Sequence, residues 1–407
     1  MHTLSNDFKK LMAARFLFTF SVQMQAVVIG WRMYDLTKDP LKLGLIGLVE
    51  AIPALTLALY AGYLVDRTKP LRAFQLVMIT SFASSIVLLV SQSSLSTQVD
   101  YQVQLLYLSS FVTGIARAFA QPSLYSAVPR MVQRDLLPKA SAWMSSTMQT
   151  SRVIGPAVGG VLYGWIGVFH SAAAICIGIS FGIFCLLLIR QKIPAPIVQK
   201  TSSIKKELFE GVVFVFKHPI LFPALTLDMI SVLFGGVTAL LPIYAAEILH
   251  VGSHGLGLLR GAPAAGALIA SIWLTQRKFS HGAGRMLFIG VTGFGVSILV
   301  FAISHNFSLS LVALALSGAF DSVSMVIRSA AVQLASPDKM RGRISSVNTI
   351  FIGSSNELGQ FESGIAATLL GTVPSAVFGG VVCLATVLVT AVLCPNLRKM
   401  NLDKIKA

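Results

Sequence analysis

The sequence predicts an all-helical, polytopic membrane protein of twelve transmembrane spans in two six-helix halves. Two observations lead there: 55% of the 407 residues are hydrophobic while only 12% are charged, and the apolar residues collect in runs long enough to cross a bilayer. An ordinary soluble domain carries about 25% charged residues, so this composition argues against a soluble fold. A span takes about 20 mostly apolar residues, and allowing about 34 for a span plus a short loop makes room for about twelve.

The first six runs lie at 12 to 35, 43 to 65, 73 to 93, 102 to 128, 139 to 166 and 169 to 190. Each is too long and too continuously apolar for a surface helix. A polar stretch from Gln191 to Lys217 follows, carrying Lys192, Lys200, Lys205, Lys206, Glu207, Glu210 and Lys217. It reads as a cytoplasmic linker with a short amphipathic helix from Ile204. Six further runs lie at 218 to 247, 254 to 276, 285 to 305, 308 to 335, 343 to 371 and 374 to 395. The expected organisation is therefore a half over 1–190, a linker over 191–217 and a half over 218–407.

Charge supplies the orientation. The 32 Lys and Arg against 16 Asp and Glu give a net charge of +16, but a nucleic-acid surface needs a soluble basic face, which this pattern lacks. The basic residues recur instead on alternate loops: Arg67, Lys69 and Arg72; Arg130, Arg134 and Lys139; Arg277, Lys278 and Arg285; Lys339, Arg341 and Arg343; and Arg398 to Lys406. The opposite loops and span ends hold Arg32, Lys38, Lys42 and Arg260. Positive residues stay on the cytoplasmic side, so both termini are expected there. Met1 to Lys10 leads into the first run with no small-residue cleavage pattern, and no removable signal peptide is expected.

Other chemistries find little support. Cys176, Cys185, Cys383 and Cys394 fall in or beside apolar runs without metal-type spacing and read as packing residues. His250 and His254 are four apart, but Gly252 between them argues for a loop rather than a ligand-bearing helix. There is no Gly-rich loop ending in Gly-Lys-Ser/Thr, no H-E-x-x-H and no G-x-S-x-G. An ATP-driven cycle, an enzyme, a metal centre and a cofactor are all unexpected.

The loop after the second span reads Gly62-Tyr63-Leu64-Val65-Asp66-Arg67-Thr68-Lys69-Pro70-Leu71-Arg72. A glycine at a helix end permits close contact, an aspartate can neutralise a neighbouring helix amino terminus, and the basic residues hold the cytoplasmic interface. On these residues the chain resembles the major facilitator superfamily. The resemblance implies two six-helix halves around a central cavity, and a conformational latch of Gly62, Asp66, Arg67 and Arg72. Pro70 stands where the family often has a small or basic residue. The fifth span carries Ser151-Arg152-Val153-Ile154-Gly155-Pro156-Ala157-Val158-Gly159-Gly160, which looks like the glycine-proline motif of the exporting, antiporter branches. Small residues let helices approach and Pro156 can bend the span, so Gly155, Pro156, Gly159 and Gly160 are assigned to packing or hinging. Ser151 replaces a glycine of the family pattern. An echo of Arg134 to Lys139 in Pro337 to Arg343 fits a duplicated chain.

Charges inside spans are informative because each costs about 2.5 to 3.5 kcal/mol at a helix centre. By this placement Glu50, Arg117, Arg152, Asp228, Asp321, Arg328, Glu357 and Glu362 are intramembrane. A carboxyl group in an apolar cavity can take and release a proton as water access alternates. Asp228 is the first candidate for the proton carrier and Glu50 the second; the alternative for either is a structural partner for Arg117 or Arg328. Arg117, Asp321, Arg328, Asn356 and Glu357 are the other candidate cavity residues, with Glu357 ranked above Glu362. Asn356, Glu357, Gln360 and Ser363 would suit a hydrogen-bonding ligand or could bond across helices.

The segments Asp321 to Arg328, Pro337 to Asn348, Ser354 to Gly364, Ala239 to Tyr244 and Arg117 to Gly160, together with Asp228, look like the enterobactin-exporter-like branch of major facilitators. That resemblance implies export of siderophores or drug-like amphipathic compounds. The expectation is a monomeric, proton-coupled exporter of the bacterial inner membrane, in contact with a small-molecule substrate, protons and membrane lipids. The alternatives are an importer or uncoupled facilitator of the same fold, and a non-transporting receptor or scaffold.

Overall fold

A computed structural model describes residues 4–92, 98–190, 204–275, 282–337 and 340–402, with the side chains of 59, 63, 66, 204–209, 211, 275, 341–343, 345, 346, 349 and 350 excepted. Lys192, Lys200, Arg277, Lys278 and Lys339 lie outside the described residues, as do the side chains of Asp66, Lys205, Lys206, Glu207, Arg341 and Arg343. Among the described residues every regular element is helical.

Local chemistry sets the helix ends. Helix α1 (Asn6–Thr37) starts where the Ser5 hydroxyl accepts the Phe8 N–H at 3.2 Å, and it stops at Lys38, whose φ of 52° is left-handed. The Asp39 carboxylate then accepts the Leu41 N–H at 2.8 Å and Pro40 opens α2 (Pro40–Arg67). A side-chain acceptor at the cap satisfies an orphan amide, and proline suits a first turn because no partner exists there for its missing N–H. Pro70 opens α3 (Pro70–Val90) in the same way, and α4 (Val99–Met131) follows.

Helix α5 (Leu137–Leu187) contains one non-helical residue, Gly167, at φ 76° and ψ 176°. A side chain at that backbone geometry is disfavoured. The glycine turns one long element into two arms, which are the fifth and sixth spans of the sequence reading. The amphipathic helix expected from Ile204 is α6 (Ile204–Lys217).

The run read as one span over 218 to 247 is not continuous. Helix α7 (Leu221–Gly235) ends at a glycine pair, a 3-10 turn spans Thr238–Leu240, and the chain resumes helically through Leu241 to a π turn at Tyr244–Ile248. Paired glycines weaken a helix, and Pro242 removes a backbone donor one turn later. Helices α8 (Gly252–Thr275), α9 (Ala283–Ile303), α10 (Phe307–Ala335), α11 (Arg341–Leu370) and α12 (Thr372–Leu393) follow, with a short helical turn at Pro395–Arg398 after them. Among the described residues, ten segments are long and apolar enough to cross a membrane. One of them, Arg134–Leu187, divides at Gly167, and the 30-residue α11 is long enough but more polar. Counting both gives the twelve spans.

The chain forms two compact units: residues 1–199 with 245–261, and residues 200–244 with 262–407. In the first, α1 lies against α5 and α2 against α4. A Cβ on Gly155 would meet the Phe20 carbonyl oxygen at 3.0 Å, one on Gly159 the Met24 Cα at 3.0 Å, and one on Gly114 the Glu50 carbonyl oxygen at 2.2 Å. Gln25, 2% exposed, holds its amide nitrogen within hydrogen-bonding distance of the Ser84, Ser109 and Thr113 hydroxyls at 2.7, 3.0 and 3.0 Å, tying α1 to α3 and α4. In the second unit α10 approaches α8 and α12 approaches α7 through glycine. A Cβ on Gly318 would lie 1.9 Å from the Pro263 carbonyl oxygen, and one on Gly379 1.9 Å from that of Phe234. Large apolar side chains such as Leu76, Ile79, Phe181, Ile269, Ile303 and Val392 remain exposed on both units. A soluble monomer rarely exposes apolar patches on that scale, and in a bilayer they are the lipid-facing surface.

Candidate functional site

Among the described residues, the intramembrane charges close one ion pair in each unit. In the first unit the Arg117 guanidinium on α4 pairs with the Glu50 carboxylate on α2. Their backbones meet at Gly114, one turn before Arg117, where only a glycine admits the Glu50 carbonyl. The pair is partly open, with side chains 42% and 16% exposed for Arg117 and Glu50. Arg152 on α5 is exposed and lies within electrostatic range of both Arg117 and Arg15. Arg15, on α1 and 4% exposed, places Nη2 3.8 Å from the Met148 sulfur. An isolated charge in such surroundings is costly, so this concentration of guanidinium groups calls for a functional reason.

In the second unit the Arg328 guanidinium on α10 pairs with the Asp228 carboxylate on α7, and both residues are buried. The two residues that the sequence offered as a carrier and its possible partner thus meet. Asp321, two turns before Arg328 on α10, is half-buried. On α11 the buried Glu357 accepts the Gln360 amide at 3.2 Å. Ser363 donates at 2.7 Å to the Gly236 carbonyl freed by the break after α7. Asn356 is exposed and bonds back to Ile352 O at 2.8 Å. Glu357, Gln360 and Ser363 therefore make interhelical or local bonds, and Asn356 stands apart from them. Glu362 lies against Phe361, Ile365, Leu369 and Phe378 in an apolar recess.

The glycine-proline segment divides its work by face. Gly155 and Gly159, one turn apart, meet α1, while a Cβ on Gly160 would lie 2.4 Å from the Ser253 carbonyl oxygen. Pro156 is buried between them, its carbonyl oxygen 2.6 Å from where a Cβ on Gly257 would sit. In the latch segment Arg67 and Arg72 are exposed. Among the described residues, a Cβ on Gly62 would meet nothing within 4 Å. Tight approaches are found at Gly114, Gly155, Gly159 and Gly160.

Sequence reasoning passed over three polar features. Arg15 was absorbed into an apolar run, Gln25 was one polar residue among many, and Tyr34 is engaged with Glu247, to which its hydroxyl donates. The signal for Arg15 was present, since an arginine inside a run of 12 to 35 carries a transfer cost, smaller near the start of its run than that of Arg117 near the centre of its own.

Comparison with known proteins fits this architecture. A family model described as transmembrane secretion effector, of the major facilitator type, matches residues 4–407. The chain belongs to that family. The enterobactin exporter EntS of Citrobacter koseri is 23% identical over 394 residues, covering 97% of this chain and 93% of that protein. EntS of Shigella boydii is 24% identical over 375 residues, covering 92% of this chain and 88% of its own. Among solved structures, a bacterial homologue of the iron transporter ferroportin in its inward-facing state aligns with TM-score 0.73 at 17% identity, covering 98% of this chain and all of that one (100%). A POT family transporter in complex with 5-aminolevulinic acid aligns with TM-score 0.76 at 15% identity, over 96% of each chain. At those identities the structures speak to the fold alone. The protein is thus a multi-pass membrane transporter of the major facilitator fold, acting on a small-molecule substrate.

Proposed function

We propose that this transporter is a proton-coupled exporter of small amphipathic molecules, siderophore-like or drug-like, in a bacterial inner membrane with both termini in the cytoplasm. The observation that carries the reading is the Asp228–Arg328 ion pair, a carboxylate and a guanidinium enclosed together within the spans. Protonating Asp228 removes one charge of the pair and frees Arg328 to seek another partner, which is the change that alternating access needs at its turning point. Glu50 and Arg117 offer the same exchange in the first unit, where the pair is partly exposed. The curated relatives named enterobactin exporters support export, and the glycine-proline segment of α5 supports the antiporter branch. The transporter is taken to work as a monomer, with Gly62, Asp66, Arg67 and Arg72 acting as the latch and Asp321 and Glu357 as further cavity acids.

The test is efflux from energised vesicles of a catecholate siderophore and of cationic and neutral dyes, with wild type, Asp228→Asn and Glu50→Gln, with and without an uncoupler. Export that stops with uncoupler, and an Asp228→Asn variant that binds but does not accumulate substrate, are the expected results. Transport indifferent to uncoupler and to both substitutions would replace this reading with an uncoupled facilitator.

A further inference from the structure

We propose that Arg15, Arg117 and Arg152 form a recognition site for the anionic group of an amphipathic, aromatic substrate. This deepens the exporter reading by naming the substrate's charge, and it rests on that reading only for the direction of transport.

The three guanidinium groups come from α1, α4 and α5 of one unit, and Arg152 lies within electrostatic range of the other two. Glu50 pairs with Arg117, and among the described residues the guanidinium groups of Arg15 and Arg152 stand within electrostatic range of one another. Arg15 is 4% exposed, its Nη2 faces a methionine sulfur at 3.8 Å, and its Nη1 is buried without a hydrogen-bond partner. A buried guanidinium so poorly satisfied is costly unless a charged acceptor completes it. The packing holds it in place: α1 and α5 are locked together by Gly155 and Gly159, and the Ser151 hydroxyl donates to the Phe16 carbonyl at 3.3 Å, one residue along from Arg15.

Arg117 and Arg152 are exposed although each lies near the middle of its span. An arginine turned to lipid at that depth is disfavoured, so these groups face a water-accessible space through which a solute can arrive. The chemistry there suits a carboxylate, sulfonate or phosphate, because a guanidinium offers paired donors to such groups. Tyr125 on α4, 65% exposed and within electrostatic range of Arg15, is an aromatic group near the charge. A cationic compound would meet net repulsion at the same place.

The test is equilibrium binding to the full-length transporter in nanodiscs, with empty nanodiscs subtracted, using two fluorescent probes of similar aromatic framework. These are 8-anilinonaphthalene-1-sulfonate, which is anionic, and N-phenyl-1-naphthylamine, which is neutral. Arg152→Gln and Arg15→Gln are expected to weaken the sulfonate at least about tenfold while leaving the neutral probe within about twofold. Arg152→Lys keeps the charge and is expected to retain most of the sulfonate affinity, which guards against a variant that merely misfolds. Raising the salt should weaken the sulfonate and not the amine. Equal binding of both probes by wild type, or parallel loss of both in Arg152→Gln with Arg152→Lys no better, would overturn the proposal. Because binding needs no gradient, this outcome is separate from any failure of proton-coupled export.

Discussion

Arg328 on α10 and Asp228 on α7 are one hundred residues apart in the chain and close an ion pair whose side chains are 3% and 7% exposed. Such a pair gains little over an apolar replacement, yet breaking it from one side is expensive because the remaining charge stays buried.

The first prediction follows from that asymmetry. Asp228→Asn is expected to lower stability by about 3–5 kcal/mol. The Asp228→Asn/Arg328→Gln double variant should be more stable than the sum of its parts. Thermal unfolding in detergent with a double-mutant cycle checks both, and additive losses would show that the two groups are energetically independent.

The Glu50–Arg117 pair should behave differently, since it is partly open. Water screens such pairs, and their loss costs about 1 kcal/mol or less. Glu50→Gln should therefore melt close to wild type while losing accumulation of substrate under an imposed pH gradient. A strongly destabilised Glu50→Gln would assign the residue a structural role.

Two glycine substitutions separate packing from position. In Gly114→Ala the new methyl would lie 2.2 Å from the Glu50 carbonyl oxygen, so α2 and α4 must part, whereas in Gly62→Ala it meets nothing within 4 Å. Overpacking costs about 1–3 kcal/mol. An alanine replacing an open helical glycine changes stability by roughly 1 kcal/mol or less, in the favourable direction. Expression level and melting temperature of the two variants are expected to move in opposite senses.

A pH effect is expected outside the spans. His218, between α6 and α7, accepts the Ile220 and Leu221 N–H groups on its Nδ1, each at 3.2 Å, and burial holds its pKa below the ordinary value. The unfolded chain then takes up this proton first as pH falls through about 6.5. The unfolded state binds more protons in that window, so stability is lost on acidification and is unaffected well above it. Protonation also removes the acceptor that caps α7. Melting temperatures from pH 8 to pH 5 should fall less steeply in His218→Asn, and identical slopes would exclude this histidine as a source of acid sensitivity.

The spans were legible because crossing a bilayer is a local demand: each run must be apolar over its own length, and loop charges report sidedness residue by residue. Gly167 was legible in the same way, falling in the gap between two runs. The break after α7 was not, because Gly235 and Gly236 sit in a run that stays apolar, and hydropathy does not register a change of backbone geometry. Whether a glycine such as Gly62 is closely approached likewise depends on what the fold brings to it, which its local motif does not encode.

The sequence by itself determined the fold class, the twelve-span layout and the charges that had to be explained, since each follows from composition and transfer cost along the chain. The tertiary structure alone decided the partners. Arg328 meets Asp228, Arg117 meets Glu50, and Arg15 is buried beside Met148 with one nitrogen unsatisfied. The physical reason is distance along the chain: an ion pair or an orphaned donor depends on which helix faces which, and that is set by glycine contacts such as Gly114 on Glu50 and Gly159 on Met24, which no local pattern encodes.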